Sequence, residues 1–415
     1  MRYDHIISRV YHITAKYQSF QEKYLLVILV EKPSWLSRNK MCIVKKGAAA
    51  PATDSKTEPN DEASYYSYEK RYSQETKPPI HELTSKIVTK ENAKLPYWYP
   101  DKSQCHQLAQ DWLQMAKATT HESRLAELLL LDSEKHQKTF VASTVNSHKN
   151  RETWDNQHPC QDEGRIVLKF PGLTSDYIHA NYVGTTKENT KRFICTQSPS
   201  PDTARAFWAM VIQENVKKIV VMDKQPEDYF HRYWPSLSPD DIRYYGTPKE
   251  MGGIGIVCKG KTTHYRETLI LEKLTEEVGI TEMQFFVTWI TPEKKGASRY
   301  VTIFKIKNWD DKYLDSQIVD LVLAVWNTKT PVVVHCPSGV GLTGTFVAVA
   351  AIHERMFKDM KVPSVISVVR DLRVQRHQMV YWSSHYELIY QAVNYFMKGK
   401  CGHKLEEPKK EKAKK

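Results

Sequence analysis

The stretch Pro331-Val332-Val333-Val334-His335-Cys336-Pro337-Ser338-Gly339-Val340-Gly341-Leu342-Thr343-Gly344-Thr345 decides how the rest of the chain is read. It opens as a short run of β-branched residues, which reads as a buried strand over 331–335. Glycines follow at 339 and 341, and a helical pattern runs over 343–355. A strand ending at Cys336, a tight loop and a helix N-terminus gather several backbone amides around one point. Such a nest, helped by the positive end of the helix dipole, holds a compact anion. A cysteine at that strand end is set up to act as a thiolate nucleophile. Gly339 and Gly341 allow the loop to curl around a tetrahedral oxyanion. Taken alone, the segment fits equally an inert cysteine in a buried strand–loop–helix turn, and that plainer arrangement is the commoner one.

Outward from this segment the pattern is regular from about residue 105. Residues 113–131 contain an apolar helical stretch. Short β-type runs follow at 165–168, 177–183 and 193–196, then an amphipathic helix over 203–215 and a buried-type strand over 218–222. Further β-rich runs lie at 255–258, 264–271, 282–289 and 300–306. Helices are expected over 316–326, 364–374 and 384–396. Helices packed on a mixed central sheet make an α/β (α+β) domain over residues 106–398. Residues 1–43 have no clear period and form an N-terminal extension. Residues 44–105 are Pro-, Ser- and Lys/Glu-rich, bury little, and read as a flexible linker. Tyr65, Tyr66, Tyr68 and Tyr72 within them read as polar linker residues, with kinase targets the sharper and rarer alternative. Residues 399–415 are a lysine-rich tail.

Composition narrows the function classes. The chain has 415 residues, 41% hydrophobic and 11% aromatic, enough for a large core and against wholesale disorder. No apolar run approaches the roughly 18 residues that cross a bilayer, so no transmembrane segment is expected. The apolar run at 25–30 is too short for a signal-peptide core. Cysteines 42, 105, 160, 195, 258, 336 and 401 are odd in number, irregular in spacing and without a CxxC pair. Neither a zinc ribbon nor a disulfide framework follows, and a reducing, cytoplasmic compartment is expected. The net charge of +12 favours anionic partners such as phosphorylated protein. No arginine-rich block or aromatic–basic alternation argues for nucleic acid.

The segment around Cys336 resembles the signature loop of the protein tyrosine phosphatases, His-Cys-x5-Arg-Thr/Ser-Gly. His335, Cys336, Gly339, Gly341, Thr343 and Gly344 fill six of its seven defined positions, and Leu342 stands at the arginine. Other blocks of the family follow in order. Lys149-Asn150-Arg151 is similar to the start of the substrate-recognition loop, and residues 176–182 (Asp-Tyr-Ile-His-Ala-Asn-Tyr) to a strand motif. Residues 193–199 with Thr203, Phe207, Trp208 and Val211 match the next block, and Tyr233-Trp234-Pro235 another. Asn308-Trp309-Asp310-Asp311 falls where the mobile general-acid loop belongs, and residues 375–380 with Tyr386 and Tyr390 match the final block. The resemblance covers roughly residues 110–398, and its details look most like the tyrosine phosphatases carried by bracoviruses of parasitoid wasps. It implies the family's fold, a mixed central sheet flanked by helices, here with the N-terminal extension.

It also implies roles. Cys336 would attack phosphotyrosine, His335 and Thr343 would flank it, and the amides of Ser338, Gly339, Val340 and Gly341 would cradle the phosphate. Asp311 would protonate the leaving oxygen, with Trp309 in its loop, and no cofactor or metal is implied. Four positions depart from the pattern. Leu342 replaces the arginine whose two charge-assisted hydrogen bonds are worth about 1.5–3 kcal/mol each, so phosphate binding is expected to fall roughly 10²–10⁴-fold. Asp310 replaces the hinge proline and sets two carboxylates side by side where an anion must bind. Tyr381 replaces the water-positioning glutamine. The recognition-loop tyrosine is absent, leaving Trp154 to stack on a ring and Asp155 to hold a backbone amide. These departures imply a pseudophosphatase that binds protein partners, among them phosphotyrosine proteins, and interferes with signalling in a parasitised host cell. Two alternatives stay open: a weakly active phosphatase working through a Cys336 phosphoenzyme, and a scaffold acting through its extension or basic tail.

Overall fold

The computed structural model describes residues 84–88, 102–150, 158–223, 232–236, 241–247, 250–266, 279–290, 295–307 and 313–400, with Trp309 and Asp311. The extension, most of the expected linker, the tail past 400, and Trp154, Asp155 and Asp310 lie outside the described residues.

In chain order the strands are β1 (Thr84–Val88), β2 (Arg165–Val167), β3 (Tyr177–Val183), β4 (Phe193–Gln197), β5 (Lys218–Val221), β6 (Ile242–Tyr245), β7 (Ile254–Arg266), β8 (Gly279–Ile290), β9 (Gly296–Lys307) and β10 (Val332–Cys336). They form one mixed sheet in the order β1-β7-β8-β9-β5-β10-β4-β3-β2, with β6 paired to β7. The centre is parallel: β10 lies between β4 and β5, and β5 continues parallel onto β9. Strands covered on both faces read as unbroken apolar runs. This is why Val332, Val333 and Val334 show no alternation and every residue of β10 is buried. The two wings, β7–β8–β9 and β2–β3–β4, are antiparallel.

The helices are α1 (Lys102–Ala118), α2 (His121–Ser133), the short α3 (Val141–Val145), α4 (Ala204–Gln213), α5 (Leu314–Val325), α6 (Leu342–Asp359), α7 (Val365–Gln375) and α8 (Ser383–Lys400). Two apolar cores result. One joins α1, α2, α5, α6, α7 and α8 to residues such as Val334, Cys195 and Cys336. The other joins α4 to Val333, Ile219, Ile194 and the β7–β9 wing. Alternate residues of β10 feed opposite cores, so the strand that ends at Cys336 is fixed from both sides. The α/β class with a mixed, helix-flanked sheet stands as expected.

Four boundaries differ from the sequence reading. The apolar stretch over 113–131 is two helices, because Thr120 caps α2 by accepting a hydrogen bond from the Ser123 amide at 3.3 Å. The runs at 255–258 and 264–271 belong, as far as Arg266, to one strand whose register shifts between Cys258 and Gly260. The shift is a bulge within a single strand, which interrupts the apolar pattern without ending the pairing. Strand β6 carries partly exposed residues and no apolar alternation. Strand β1 lies within the stretch expected to be linker, and pairs in parallel with β7.

Candidate active site

The loop after β10 is held from three directions. The Cys336 carbonyl accepts from the Ser198 amide at 2.9 Å and the His335 carbonyl from the Met222 amide at 2.8 Å. Tyr233 OH lies 2.8 Å from His335 Nε2, fixing the imidazole just before the cysteine. From below, Arg376 is 1% exposed. Its Nε donates to the Gly339 carbonyl at 2.9 Å and one terminal nitrogen to Asn181 Oδ1 at 2.7 Å. The other reaches His179 Nδ1 at 3.1 Å and the Ser338 carbonyl at 3.4 Å. With its Nδ1 accepting from Arg376, His179 carries its proton on Nε2 and donates to the His158 carbonyl at 2.8 Å. Burial, then the neighbouring guanidinium, pushes the His179 pKa down to about 3, so the ring stays neutral.

The glycines are there for space. Gly339 has φ +73°, and a Cβ on it would fall 2.3 Å from the Thr196 carbonyl oxygen. A Cβ on Gly341 would fall 2.6 Å from Cε1 of His385 in the first turn of α8. Inside the loop the Gly339 amide donates to Cys336 Sγ at 3.3 Å, and the Val340 amide to Ser338 Oγ at 3.4 Å. Ser338 Oγ is itself 3.9 Å from the sulfur. Thr343 is buried in the first turn of α6, and its hydroxyl has no partner. An orphaned hydroxyl of this kind costs about 1–3 kcal/mol unless something in the loop meets it. Cys336, His335, Ser338, Gly339, Val340, Gly341 and Thr343 are thus brought together between the end of β10 and the first turn of α6.

The rim is different. Leu342, the first residue of α6, is half-buried and, like Trp309, packs against the core that contains Cys336. Trp309 Nε1 donates to Asp311 Oδ1 at 3.0 Å, and Asp311 is exposed. Tyr381 stacks edge-on with His158 at 4.9 Å and with Trp382 at 4.8 Å between ring centroids. The turn before it is strained, since Gln378 and Val380 have φ +57° and +58°. A β-branched residue in that region is a genuine outlier. It is held by the Val380 amide donating to the Val340 carbonyl at 2.9 Å, and by Arg373 donating to the carbonyls of Met379 and Val380 at 3.0 and 3.1 Å. The Val380–Val340 bond therefore ties the turn that precedes Tyr381 to the signature loop.

Sequence reasoning left Arg376, Tyr233 and His385 without roles. Each lies in or beside a quoted family block, but only the fold shows that Arg376 and Tyr233 bear on the loop. His385 precedes Tyr386 and overlies Gly341; burial pushes its pKa down to about 4. Among the described residues no group of three or more His, Cys, Asp or Glu is placed to hold a metal ion. Nor is any described helix long and apolar enough to cross a membrane.

Cys336 at the end of β10, the glycine loop and the start of α6 stand together, as the family resemblance implies. The sequence matches the profile described as protein-tyrosine phosphatase over residues 146–395, more than half of the chain. The chain belongs to the protein-tyrosine phosphatase family. It is 30% identical over 251 residues to human receptor-type tyrosine-protein phosphatase epsilon, covering 57% of this chain and 32% of that protein. It is 28% identical over 273 residues to tyrosine phosphatase-like protein H1 of Microplitis demolitor bracovirus, covering 60% of this chain and 72% of that protein. Human tyrosine-protein phosphatase non-receptor type 12 is 27% identical over 238 residues, covering 55% of this chain and 28% of that protein. The chain thus spans about a third of the length of the human receptor-type relative.

Proposed function

We propose that this phosphatase-family domain is a non-catalytic module that binds protein partners, phosphotyrosine proteins among them, in the cytoplasm. Interference with the signalling of a parasitised host cell is the role that suits such a module, given the likeness to a bracovirus protein. The observation that carries the reading is Leu342. On this reading the loop would offer phosphate its backbone amides, while the residue at the clamp position has no donor. Among the described residues no other guanidinium stands in for it at the loop: every donor nitrogen of Arg376 is already committed to Gly339, Asn181, His179 or Ser338. Phosphate would meet amides alone, and charge building up in a transition state would go unanswered.

The runner-up reading, a weak phosphatase, is favoured by the sulfur itself, which accepts from the Gly339 amide as a nucleophile in a nest would. In that case Cys336 Sγ would displace the tyrosyl oxygen from phosphorus, Asp311 would supply its proton, and water would release phosphate from the cysteinyl intermediate. One experiment separates the two: titration with a phosphotyrosine peptide beside an assay of its hydrolysis. Binding without hydrolysis is the expected result. Turnover above background that disappears in Cys336→Ala would establish the weak enzyme instead.

A further inference from the structure

We propose that a cavity on the α4 side of the sheet, outside the signature loop, is a second anion-binding site that takes a single phosphate or carboxylate group. The cavity holds about 240 Å³, and Lys149, Thr174, Ser175, Gln197, Thr203 and Arg205 supply its polar lining. No residue from Cys336 to Thr343 lines it. Pockets for drug-sized ligands run from roughly 300 Å³ upward, so this one suits one compact group.

The charge is arranged for an anion. Lys149 and Arg205 both line the cavity, and among the described residues neither has an ion-pair partner. Lys149 Nζ donates only to Asn146 Oδ1 at 3.1 Å. Arg205 donates only to the Gly252 carbonyl, at 3.3 Å, and its Nε is buried with no partner. Buried guanidinium donors are normally answered, because leaving one unmet carries its full desolvation cost. The chain also clears room for this guanidinium. Gly172 and Gly246 both have φ +73°, and a Cβ on either would come within 2.8 Å of it. Asp202 is the one carboxylate in the lining and is exposed, so two cations face one anion. The cavity lies at the start of α4, where the dipole adds positive potential, although the Ala204 amide already donates to the Ser200 carbonyl at 3.0 Å.

The position ties the cavity to the domain's main site without making it part of that site. Gln197 Nε2 donates to the Lys149 carbonyl at 2.8 Å, and Gln197 is the register partner of Cys336. An occupant between Lys149 and Arg205 would brace the segment that leads into the recognition loop. This holds whether or not the signature loop turns over phosphate.

The test uses the intact chain and reads Lys149 directly. Lysines are acetylated with a limiting reagent at constant ionic strength, and sites are quantified by mass spectrometry, with inorganic phosphate in one arm and acetyl-triglutamate amide in the other. Phosphate is expected to slow acetylation of Lys149 several-fold against chloride, in wild type and in Cys336→Ser alike, and to lose that effect in Arg205→Gln. Protection by the peptide as well assigns the site to acidic side chains of a partner; protection by phosphate alone assigns it to a free or phosphoryl ligand. Unchanged Lys149 reactivity in both arms overturns the proposal, as does protection that survives Arg205→Gln. Should Arg205→Gln fail to fold, Lys149→Gln replaces it. The phosphate concentration that raises the melting temperature by a fixed amount should then rise about tenfold, and an unchanged dose curve counts against the site.

Discussion

The floor of the active site and its rim are made of different material. The floor is backbone, positioned by buried side chains: the Gly339 and Val340 amides, the Ser198 and Met222 amides behind them, and Arg376, Tyr233 and Asn181 beneath. The rim is side chain: Leu342, Asp311, Tyr381 and Trp382. A floor residue also serves the core, since Cys336 and Val340 are 2% exposed and Arg376 joins three segments. Change there costs stability. A rim residue is less deeply tied to the core, so it can change at smaller cost while the fold stays. A phosphatase domain that stops turning over phosphate would be expected to lose its rim first, and the two departures that fall on described residues, Leu342 and Tyr381, lie there.

The sharpest way to break that contrast is to repair the rim at one point. Leu342→Arg should restore oxyanion binding by about 3–6 kcal/mol, two charge-assisted hydrogen bonds' worth. The readout is thermal: vanadate or sulfate should raise the melting temperature of the variant and leave wild type nearly unmoved. A flat response in Leu342→Arg would mean that the floor does not cradle an anion. The complementary change attacks the floor. Arg376→Met leaves the Gly339 carbonyl and His179 Nδ1 buried and unmet and Asn181 Oδ1 with only the weak Cys160 thiol donor, and should destabilise the fold by about 3 kcal/mol. Denaturant unfolding measures it, and a loss under 1 kcal/mol would show that the loop stands without its guanidinium.

A smaller effect follows from His179. Its folded pKa of about 3 lies below the ordinary value of about 6.5, so between these limits the unfolded chain binds a proton that the folded one does not. Stability contributed at this site is complete above pH 6.5 and declines as pH falls. The loss is about 2 kcal/mol between pH 7 and pH 5. The advantage of wild type over His179→Asn should shrink by that amount over the same range. A constant difference would mean that the ring can take up a proton beside Arg376.

How much of this was legible in the sequence follows the same division. The floor could be read because its requirements are local and periodic: a β-branched run, glycines where Gly339 needs φ +73°, and a helix start at Leu342. What holds the floor could not be read, because Arg376 and Gly339 are 37 residues apart and Tyr233 and His335 are 102 apart. Nothing local in Tyr233-Trp234-Pro235 says which imidazole its hydroxyl will meet. The cavity beside Lys149 and Arg205 was invisible for the same reason: its walls come from three separated segments, and no motif marks them.

The smallest expected effect belongs to Tyr381, and it says most about the rim. The ring makes edge contacts with His158 and Trp382, each worth about 0.5–1.5 kcal/mol at most beyond buried area. Tyr381→Gln should therefore cost about 1 kcal/mol of stability or less. It should also leave hydrolysis of a phosphotyrosine peptide at background, because positioning a water is useless while no cysteinyl-phosphate accumulates. In the Leu342→Arg background the same change should matter, since the clamp and the water act in series on one intermediate. Adding Asp310→Pro to that pair should raise turnover by more than the product of the separate gains. Independent gains that simply multiply would mean that the three positions do not share an intermediate. A rise in Tyr381→Gln alone would mean that wild type already forms the phosphoenzyme and stalls at its hydrolysis. That outcome would turn the domain from a binding module into a phosphotyrosine trap.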